Sequence, residues 1–480
     1  VELALSKMRG LNPQLKTWGI SATIGNLNEA MDILVPKNAT PLPRQLIRAD
    51  IKKDIEIITV LPDEIEKFPW AGHLGIKLLD KVIPIINNSQ STLIFTNTRA
   101  QCEIWYQRLL EEEPEFAGLI AMHHGSIDRK LRDWVEDSLH EGTLKAVVCT
   151  SSLDLGVDFR PVETIIQIGS PKGVARFLQR AGRSGHRPGA KSVLHFVPTN
   201  TIEIIEAAAL RFAVEGNSIE ARLPYKSTFD VLVQYLVTLA VGGKGFVADE
   251  VLEQIRKTYA FSEITDEEFK WCLAFITTGG NSLGAYDEYR KVIIEQLPDQ
   301  TGKLQEIYHV DSKRIAMRHR LSIGAIVSES SLKVKYLTGG YIGTLEENFV
   351  SQLKIGDVFW FAGRSLKLVK IKGMEALVRK SNSKRGKVPA WQGGRMSFSN
   401  ELSDHLRDTI DLLHHEKYVN QELKNIRPLI ELQAKRSAVP AKDQFLIEYF
   451  KDREGYHLLM YPYEGRAVHE GLSALIAYRL

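Results

Sequence analysis

The stretch QRAGRSGHRPG, residues 179–189, carries the side chains of this chain that are best suited to act on a phosphoryl group. Gln179, Arg180 and Arg183 fall within about one turn of a predicted helix that starts near Gly173 and ends at Gly185, Pro188 and Gly189. An arginine that projects from a helix end can reach a nucleotide on a neighbouring domain and stabilise the charge of a phosphoryl group in transfer. The simpler alternative is a solvated basic helix end with glycine caps.

Alternating β and α segments must position these arginines. Within residues 46–200, the apolar runs STLIF, GLIAM, KAVVCT, ETIIQIG and KSVLHFV predict strands. Amphipathic helices are predicted between them over 99–112, 128–140 and 173–182. This alternation predicts an α/β fold with a doubly wound, mostly parallel sheet, whose ligands bind at the carboxyl ends of the strands.

The remaining segments predict three further parts. Residues 1–45 read as the end of a domain, with a short strand at LKTWGIS, a helix at LNEAMDILV and a proline-rich linker. Residues 201–305 are helical and close on a small hairpin, which is typical of a winged-helix domain. Residues 306–480 predict a β-barrel or sandwich over 315–400 and then helices, so this last part is a β-barrel/α domain.

Composition excludes several classes of protein. A chain of 480 residues is too long for one core, and its formal net charge of +3 requires any nucleic-acid surface to be local. The three cysteines, Cys102, Cys149 and Cys272, are far apart and indicate a reducing compartment without a disulfide framework or zinc site. No apolar run approaches the roughly 20 residues that span a bilayer, so no membrane association is expected.

Polar residues follow the first strong strand of the predicted sheet. TLIFTNTRAQCE ends its apolar run in Thr96, Asn97, Thr98 and Arg99. Hydroxyl, amide and guanidinium groups at a strand end suit contacts to a nucleic-acid backbone. The alternative is a helix cap made by Thr96 or Asn97.

Two later strand ends carry similar groups. His123 and His124 of MHHGS follow the next strand, where backbone contact to a nucleic acid and a simple turn are equally open. Thr150 and Ser151 follow KAVVCT and can donate hydrogen bonds to a phosphate.

Two further short motifs, each taken alone, are weak evidence for a functional site. Asp154 and Asp158 lie in an acidic turn of TSSLDLGVDF, where the lack of a nearby third ligand argues against a metal site. Ser21, Ala22 and Thr23 follow a predicted strand and could relay between a nucleotide site and a facing domain.

A basic segment provides the candidate nucleic-acid surface. Glu375 is its only acid among ten cations: Arg364, Lys367, Lys370, Lys372, Arg379, Lys380, Lys384, Arg385, Lys387 and Arg395. Such a strand pair suits phosphate tracking, and a solvated turn around SNSKRGK, which holds Lys384 and Arg385, is the alternative.

Aromatic and basic residues outside that turn extend the prediction. Trp391 lies just beyond it in a Pro- and Gly-rich loop, which suits base stacking worth roughly 1–3 kcal/mol per base, although a core position is the alternative. Trp360 alternates with apolar neighbours and is expected in the core. Arg318 and Arg320 are second-rank candidates for phosphate contacts.

The order of these motifs resembles a known family. SAT, TLIFTNTR, TSSLDLGVDF and QRAGRSGH succeed one another as in the second half of a superfamily 2 helicase. The chain resembles, more narrowly, the large helicase-related (Lhr-type) family and its ligase-associated DEXH-box DNA helicases. The narrower likeness lies in STFDVLVQYLVTLAVGG, ITDEEFKWCLAFITTGG, RHRLSIGAIVSE, GDVFWFAGR and VPAWQGGRMSFS.

The resemblance implies an activity and a set of roles. It implies ATP- and Mg²⁺-dependent 3′-to-5′ translocation on single-stranded or 3′-tailed DNA by two RecA-like lobes, in bacterial cytoplasmic DNA repair. An ATP-dependent DNA ligase and a metallo-β-lactamase-fold exonuclease are implied partners. By match to motif, Ser21, Ala22 and Thr23 couple hydrolysis to DNA grip. The implied ligands of the tracking-strand phosphates are Thr96, Asn97, Arg99, Thr150 and Ser151. The residues implied on the nucleotide side of the cleft are Gln179, Arg180, Arg183 and Asp158.

The chain departs from the family pattern in one respect. It contains no GxxxxGK[ST] phosphate loop and no DExH after a strand, both of which belong to the first lobe. We therefore expect a fragment that lacks most of the first lobe and hydrolyses no ATP alone. An RNA helicase of the same superfamily and a nucleotide-independent nucleic-acid-binding protein remain alternatives.

Overall fold

The computed structural model describes residues 1–21, 23–36, 43–48, 54–65, 75–154, 162–185, 191–280, 290–298, 302–323, 331–383, 386–389, 391 and 397–479. It forms two compact units. The first comprises Val1–Ala49 and Ala221–Ser328, and the second comprises Asp50–Glu220 and Glu329–Leu480.

The elements are numbered in chain order within the described residues. The helices are α1 (Glu2–Leu11), α2 (Leu27–Leu34), α3 (Leu79–Asn88), α4 (Arg99–Glu112), α5 (Arg129–Glu141), α6 (Val174–Ala181), α7 (Ile202–Glu215), α8 (Phe229–Val241), α9 (Ala248–Arg256), α10 (Asp266–Thr278), α11 (Lys313–Leu321), α12 (Glu347–Ser351), α13 (Asn400–His414), α14 (Gln421–Arg436) and α15 (Arg466–Arg479). The strands are β1 (Ile55–Thr59), β2 (Thr92–Phe95), β3 (Ile120–His123), β4 (Ala146–Cys149), β5 (Thr164–Ile168), β6 (Ser192–Val197), β7 (Phe246–Val247), β8 (Ile293–Pro298), β9 (Leu304–His309), β10 (Ser331–Tyr336), β11 (Tyr341–Glu346), β12 (Val358–Phe361), β13 (Arg364–Lys372), β14 (Glu375–Lys380), β15 (Leu446–Lys451) and β16 (Tyr456–Tyr461).

A parallel sheet forms the centre of the second unit. Its strand order is β1-β6-β5-β2-β4-β3, and every neighbouring pair is parallel. All residues of β2, β3, β4 and β5 are buried, which is why these strands read as continuous apolar runs rather than alternating ones. This RecA-like sheet confirms the predicted doubly wound fold, and we call β1–β6 with α3–α7 the RecA-like lobe.

Helix α7 belongs to the second unit, whereas the sequence placed residues 201–220 with the winged helix. Ile204, Ala208 and Leu210 are fully buried, so the helix requires apolar cover on more than one side. Helices α13 and α14, which follow much later in the chain, both pack against it. A helix that is apolar nearly all round gave no sign in the sequence of which neighbours cover it.

The winged helix is present in the first unit. Helix α8, strand β7, helices α9 and α10 and the β8–β9 hairpin follow one another, and the strands form an antiparallel sheet in the order β7-β9-β8. Leu232, Leu236, Phe261, Phe269 and Cys272 lie in its core.

The predicted strand at LKTWGIS is wrong. Residues 15–21 have no strand pairing, and Trp18 and Ile20 are 86% and 95% exposed. A strand needs a neighbour to satisfy its backbone groups, and the described residues provide none here.

A mixed five-stranded sheet follows in the second unit. Its order is β11-β10-β14-β13-β12, with β10 and β14 parallel and the other pairs antiparallel. It is one curled sheet, in the place where the sequence predicted a barrel or sandwich. Leu332, Val334, Phe359, Leu366 and Val378 point to its buried inner side.

Helices α13 and α14, the β15–β16 hairpin and α15 complete the unit. None of the described helices is long and apolar enough to cross a bilayer. Cys102, Cys149 and Cys272 are buried as free thiols, in keeping with the sequence prediction of no disulfide among them.

Candidate functional site

The carboxyl edge of the parallel sheet brings several predicted site residues together. Phe95 at the end of β2 lies beside Cys149 at the end of β4 and Gln167 near the end of β5. The segments that follow these strands therefore meet at one edge. The backbone N–H of Thr96 confirms this, because it donates to the carbonyl of Cys149 at 2.8 Å.

Arg180 is a buried partner of Asp154. Its guanidinium is 1% exposed and donates through Nε to Asp154 Oδ1 at 2.9 Å, through Nη2 to Oδ2 at 3.4 Å, and through Nη1 to Gln167 Oε1 at 2.7 Å. The guanidinium carbon also lies 4.9 Å from the centre of the Phe95 ring. In this conformation Arg180 faces the protein interior, so it holds the α6 helix in place rather than facing a nucleotide.

Arg183 differs from Arg180 because it is only half-buried. Its Nε and Nη2 donate to the backbone carbonyl of Asp154 at 3.1 and 2.7 Å, and burial lowers the pKa of its guanidinium. Asp154 thus contacts both arginines, one through its carboxylate and one through its carbonyl. Gln179 lies half-buried on the same helix. Asp158 lies outside the described residues.

Helix α6, which carries Arg180 and ends two residues before Arg183, is capped by a distant residue. Gly173 supplies no side chain at its N-terminus, and the carboxylate of Glu220 instead accepts from the N–H groups of Val174 and Ala175, the latter at 2.5 Å. A Cβ on Gly173 would come within 2.9 Å of Glu220 Oε1. A carboxylate at this end also complements the helix dipole. Glu220 had no recognisable sequence signal because it caps from 46 residues away.

The Thr96–Arg99 segment is divided between buried and exposed groups. The Thr96 hydroxyl is fully buried within hydrogen-bond distance of the carbonyls of Cys149 and Thr98, so it cannot contact a phosphate in this conformation. This corrects the prediction for that side chain. The cap of α4 is Thr98, which accepts from the N–H of Gln101 at 3.1 Å, and neither predicted cap residue fills that role.

Asn97 and Arg99 remain at the edge. The Asn97 amide donates to the carbonyl of Ser170 at 2.8 Å, while its Oδ1 is buried without a partner in the structure. Arg99 is exposed and donates from Nη1 to Ser126 Oγ at 3.0 Å. Both side chains therefore tie neighbouring strand-end loops together at this edge.

Thr150 and Ser151, whose role as phosphate ligands stays a prediction, lie on the loop directly after β4. They begin a single 3-10 turn, Ser151–Leu153, directly after β4, and Ser151 is exposed. Neither hydroxyl has a hydrogen-bond partner among the described residues. Asp154 ends the same turn, so the hydroxyl pair and the anchor of Arg183 lie within five consecutive residues.

His123 is structural. Its Nδ1 lies 2.7 Å from Ser152 Oγ and its Nε2 lies 3.0 Å from Glu136 Oε1, and the ring is 1% exposed. Burial, reinforced by the Arg132 charge, lowers the pKa of His123 to about 4, so the ring is neutral at pH 7. The contact to Glu136 is therefore a hydrogen bond rather than an ion pair. The His123 ring thus links the turn after β4, through Ser152, to helix α5, through Glu136.

His124 is also buried, so its side chain cannot contact a nucleic acid in this conformation, and the predicted backbone contact or simple turn stays open. It is 0% exposed, its Nδ1 accepts from the N–H of Ser126 at 3.3 Å, and its Nε2 lies 3.2 Å from Glu103 Oε1. Because Nδ1 is an acceptor, the proton is assigned to Nε2, which donates to the carboxylate. Only the backbone of this loop remains available to a nucleic acid.

Glu103 joins the RecA-like lobe to the five-stranded sheet. Besides His124, it accepts from the N–H of Ala362 at 2.7 Å and of Gly363 at 3.2 Å, in the turn between β12 and β13. Gly363 has φ +69, and a Cβ there would lie 2.7 Å from Tyr106. This role could not be predicted from the sequence, because an acid in a helix is usually solvated.

Trp391 lies beside this junction. Its ring meets that of His124 edge to face at 5.8 Å and lies 6.4 Å from Phe361, and it is half-buried with its indole N–H unpartnered. Base stacking therefore stays a prediction for the ring surface left open. Trp360, expected in the core, is instead only partly buried, on the side of β12 opposite to Phe359 and Phe361.

The remaining predicted residues lie elsewhere. Arg318 and Arg320 are exposed on α11 of the first unit, whereas His319 between them is buried 2.9 Å from Thr238 Oγ1. In the same unit, Ser21 is exposed and Thr23 is buried. Ala22, Lys384 and Arg385 lie outside the described residues. Across the described part of the chain, no three acidic, histidine or cysteine side chains form a group able to hold a metal ion.

Three family descriptions match consecutive parts of this chain. The helicase conserved C-terminal domain matches residues 75–188, the winged helix domain of the large helicase-related protein matches 212–388, and the DEAD/H associated domain matches 439–480. The chain belongs to the large helicase-related (Lhr) family. The first match covers the carboxyl-edge site, and the second extends over both the winged helix and the five-stranded sheet.

Curated relatives of this Lhr-family chain are named ATP-dependent helicases. Lhr-Core protein 2 of Thermococcus barophilus is 28% identical over 99% of this chain and 56% of its own length. Lhr-Core of Sulfolobus acidocaldarius is 30% identical over 78% of this chain and 41% of its own. The chain thus spans about half the length of the curated relatives it matches.

A solved structure shares the fold. The Mycobacterium smegmatis helicase Lhr, solved with single-stranded DNA and AMP-PNP, matches with a TM-score of 0.71 and 21% identity, over 98% of this chain and 57% of that one. At this identity the likeness shows the fold, which agrees with the RecA-like sheet and winged helix described above.

Proposed function

We propose that this chain is part of an ATP-dependent 3′-to-5′ DNA helicase. The observation that carries the proposal is the turn 150–154, which presents the Thr150 and Ser151 hydroxyls at one end and holds Arg183 through Asp154 at the other. A shift of a nucleotide-facing arginine would therefore be passed directly to a phosphate-contacting turn. Such a link is what a motor needs to couple hydrolysis to movement along a strand.

On the nucleotide side, Gln179 and Arg183 are the groups suited to the γ-phosphate. The Arg183 guanidinium is partly solvent-accessible, and its hydrogen bonds to the Asp154 carbonyl could be exchanged for bonds to a phosphate oxygen. Arg180 acts by holding Asp154. ATP would supply the phosphoryl group, and Mg²⁺ would neutralise the charge of its phosphates. The described residues offer no acidic cluster that could hold this metal ion. We place the Mg²⁺ ligands in the first lobe that the family pattern implies.

On the nucleic-acid side, Thr150, Ser151, Asn97 and Arg99 lie at one sheet edge, and Trp391 offers part of its ring. The Lhr relative from Mycobacterium smegmatis was solved with single-stranded DNA, which supports this assignment. Arg318 and Arg320 would add contacts from the winged-helix unit. Ser21 to Thr23 would couple the two lobes.

The test separates the two sides in the full-length protein. Arg183→Ala should abolish DNA-stimulated ATPase while changing DNA affinity less than about twofold, and Trp391→Ala should lower unwinding more than ATP binding. Arg436→Ala, at an exposed cation of α14, is the matched control. Unchanged ATPase in the Arg183 variant would refute the nucleotide role. The present chain alone is expected to hydrolyse no ATP, and an in-frame phosphate loop and DExH upstream of Val1 would explain why.

Substrate and setting are further parts of the proposal. Affinity for a 3′-tailed DNA against the same sequence as RNA decides between DNA and RNA translocation, and preference for RNA would favour the alternative RNA helicase. We also propose membership of the ligase-associated subgroup, a role in bacterial cytoplasmic DNA repair, and an ATP-dependent DNA ligase and a metallo-β-lactamase-fold exonuclease as partners. Co-purification of either enzyme with the full-length protein tests the last point.

A further inference from the structure

Strand register places six of the eight cations in the described strands of the five-stranded sheet on one side, while Arg364 and Lys380 lie opposite the inward-facing Phe361 and Leu366. Buried residues such as Leu368 and Val378 pair across β13 and β14, so their neighbours Lys367 and Arg379 pair on the opposite, outer side. The same alternation extends through β10. The outer side, which we call the cationic face, holds Lys333, Lys335, Lys367, Lys370, Lys372 and Arg379.

Acids hardly neutralise this face. Two acids lie on this side among the described strand residues, Glu346 opposite Ser331 and Glu375 opposite Lys333, against six cations. Glu375 pairs with Lys335 at 2.6 Å, a hydrogen bond that lowers the pKa of Glu375. The other five cations have no ion-pair partner within the described part of the chain. Several exposed cations on the helices of the same unit are paired, such as Arg427, 2.6 Å from Glu431, and Arg466, 2.6 Å from Glu470, while others, such as Lys424 and Lys435, have no ion pair within the described residues. A merely solvated face would be expected to show the mixed pattern of those helices.

Two aromatic side chains share the face with these cations. Trp360 lies opposite Ser365 on the outer side of β12, and Tyr341 lies opposite Lys335 and is 42% exposed. Along a strand, alternate residues on one side stand about 6.8 Å apart, close to two nucleotide steps of about 3.4 Å each. Cations at this spacing on β10, β14 and β13, flanked by an aromatic ring on each edge strand, suit a nucleic-acid backbone and its bases.

The cationic face is turned away from Trp391. The Trp391 ring contacts Phe361, which points to the inner side of β12, and His124 of the RecA-like lobe. Trp360, one residue from Phe361, points to the outer side. A strand that runs past Trp391 and the sheet edge at Thr150 therefore lies on the inner side, and the sheet separates it from the cationic face.

We propose that the cationic face binds the phosphate backbone of a second nucleic-acid segment, separate from the strand at Trp391. This inference rests on the proposed function to the extent that the chain acts on nucleic acid. The shared chemistry is a polyanionic backbone, and its two possible sources are the duplex ahead of the motor and the displaced strand.

The test uses this chain and three DNA probes. They are a short single-stranded oligonucleotide, a 3′-tailed duplex, and a fork that adds a 5′ arm to that duplex. The variant of the cationic face combines Lys367→Gln, Lys370→Gln and Arg379→Gln. The control variant combines Lys417→Gln, Lys424→Gln and Lys435→Gln, whose lysines are exposed on helix α14 or just before it. Anisotropy titrations at several salt concentrations give affinity and salt slope, and thermal unfolding checks that each variant is folded.

We expect the face variant to lose at least tenfold in affinity for the fork and less than twofold for the oligonucleotide. Three lost phosphate contacts should also lower the salt slope on the fork by about 2 to 3, since each contributes about 0.7 to 0.9. The control variant should match wild type within twofold on every probe. A loss already present on the 3′-tailed duplex identifies the duplex, and a loss that needs the 5′ arm identifies the displaced strand.

Two results would overturn the proposal. An equal loss on the oligonucleotide would place the face on the path of the single tracking strand, and no loss on any probe would make it a solvated surface. Failure of the wild-type chain to bind any of the three probes would instead refute the proposed function, so the two failures are distinguishable.

Discussion

Replacement of Arg180 should unfold the site rather than silence it. Arg180→Ala leaves the Asp154 carboxylate 8% exposed and without the guanidinium that now pairs with it, and it leaves Gln167 Oε1 buried without that donor. Removing one partner of a buried ion pair typically costs about 3–5 kcal/mol, because the remaining charge stays desolvated. At the half-buried Arg183, the two hydrogen bonds to the Asp154 carbonyl that Arg183→Ala removes should contribute about 1 kcal/mol, because no buried carboxylate loses its partner there.

The size of the effect can be isolated by compensation. Arg180→Met combined with Asp154→Leu replaces the pair with apolar groups and leaves no unpaired charge, so it should regain at least half of the stability that Arg180→Ala loses. Because the chain forms two units, one unfolding curve does not report on this lobe alone. Native-state hydrogen exchange of the β4 and β5 peptides measures the local free energy directly.

The outcome distinguishes a structural arginine from a nucleotide ligand. If Arg180→Ala lowered the exchange free energy of β4 and β5 by less than about 1 kcal/mol, the buried pair would not hold α6 in place. If the same variant kept its stability but lost the DNA-stimulated ATPase of the full-length protein, Arg180 would act on nucleotide after all.

Three further predictions concern the buried polar contacts. His123 has a pKa of about 4 in the folded protein against an ordinary 6.5. Its contribution to stability should therefore be constant above pH 6.5 and fall by up to about 3 kcal/mol as the pH drops to 4. His123→Gln should flatten this part of a profile of urea midpoint against pH, and an unchanged slope would refute the assignment to His123. Glu103→Ala leaves two backbone N–H groups and the His124 ring without their acceptor. Hydrogen exchange at residues 358–364 should then rise at least tenfold, with Glu103→Gln giving an intermediate rate. Equal protection in both variants and in wild type would contradict this prediction. Gly343→Ala places a Cβ in steric conflict with the Ser126 carbonyl and should speed hydrogen exchange at residues 342–344, whereas Gly373→Ala, at a φ of +55 with open space, tests positive φ without a clash.

The parallel sheet could be predicted because its signals are local. β2 to β6 are short apolar runs separated by amphipathic helices, and α4 begins at Arg99 and ends at Glu112, as the pattern indicates. The order of the motifs along the chain also carried the family resemblance. Trp360 was assigned wrongly because alternation alone does not say which of two alternating sets faces the core.

Only those features of the site that depend on residues close together in the chain could be predicted from the sequence. The sequence indicated that Arg180 and Arg183 share a helix end, but burial separates their tasks, and burial depends on Asp154 from 26 residues away. Thr96 and His124 were assigned to DNA because polar residues at strand ends usually face a ligand. Here the tertiary contacts to Cys149 and Glu103 turn both side chains inward.

The loop after β3 also determines how the protein can be dissected. Ser126 and Asp128 pair by backbone with residues 342–344 of β11, so the RecA-like lobe covers the outer edge of the five-stranded sheet. Cutting the chain between the lobe and the sheet would leave β11 as an open edge with unpaired N–H and C=O groups, a template for pairing between molecules. The sheet excised alone should therefore aggregate, and a soluble subfragment should retain residues 50–220 together with 329–480.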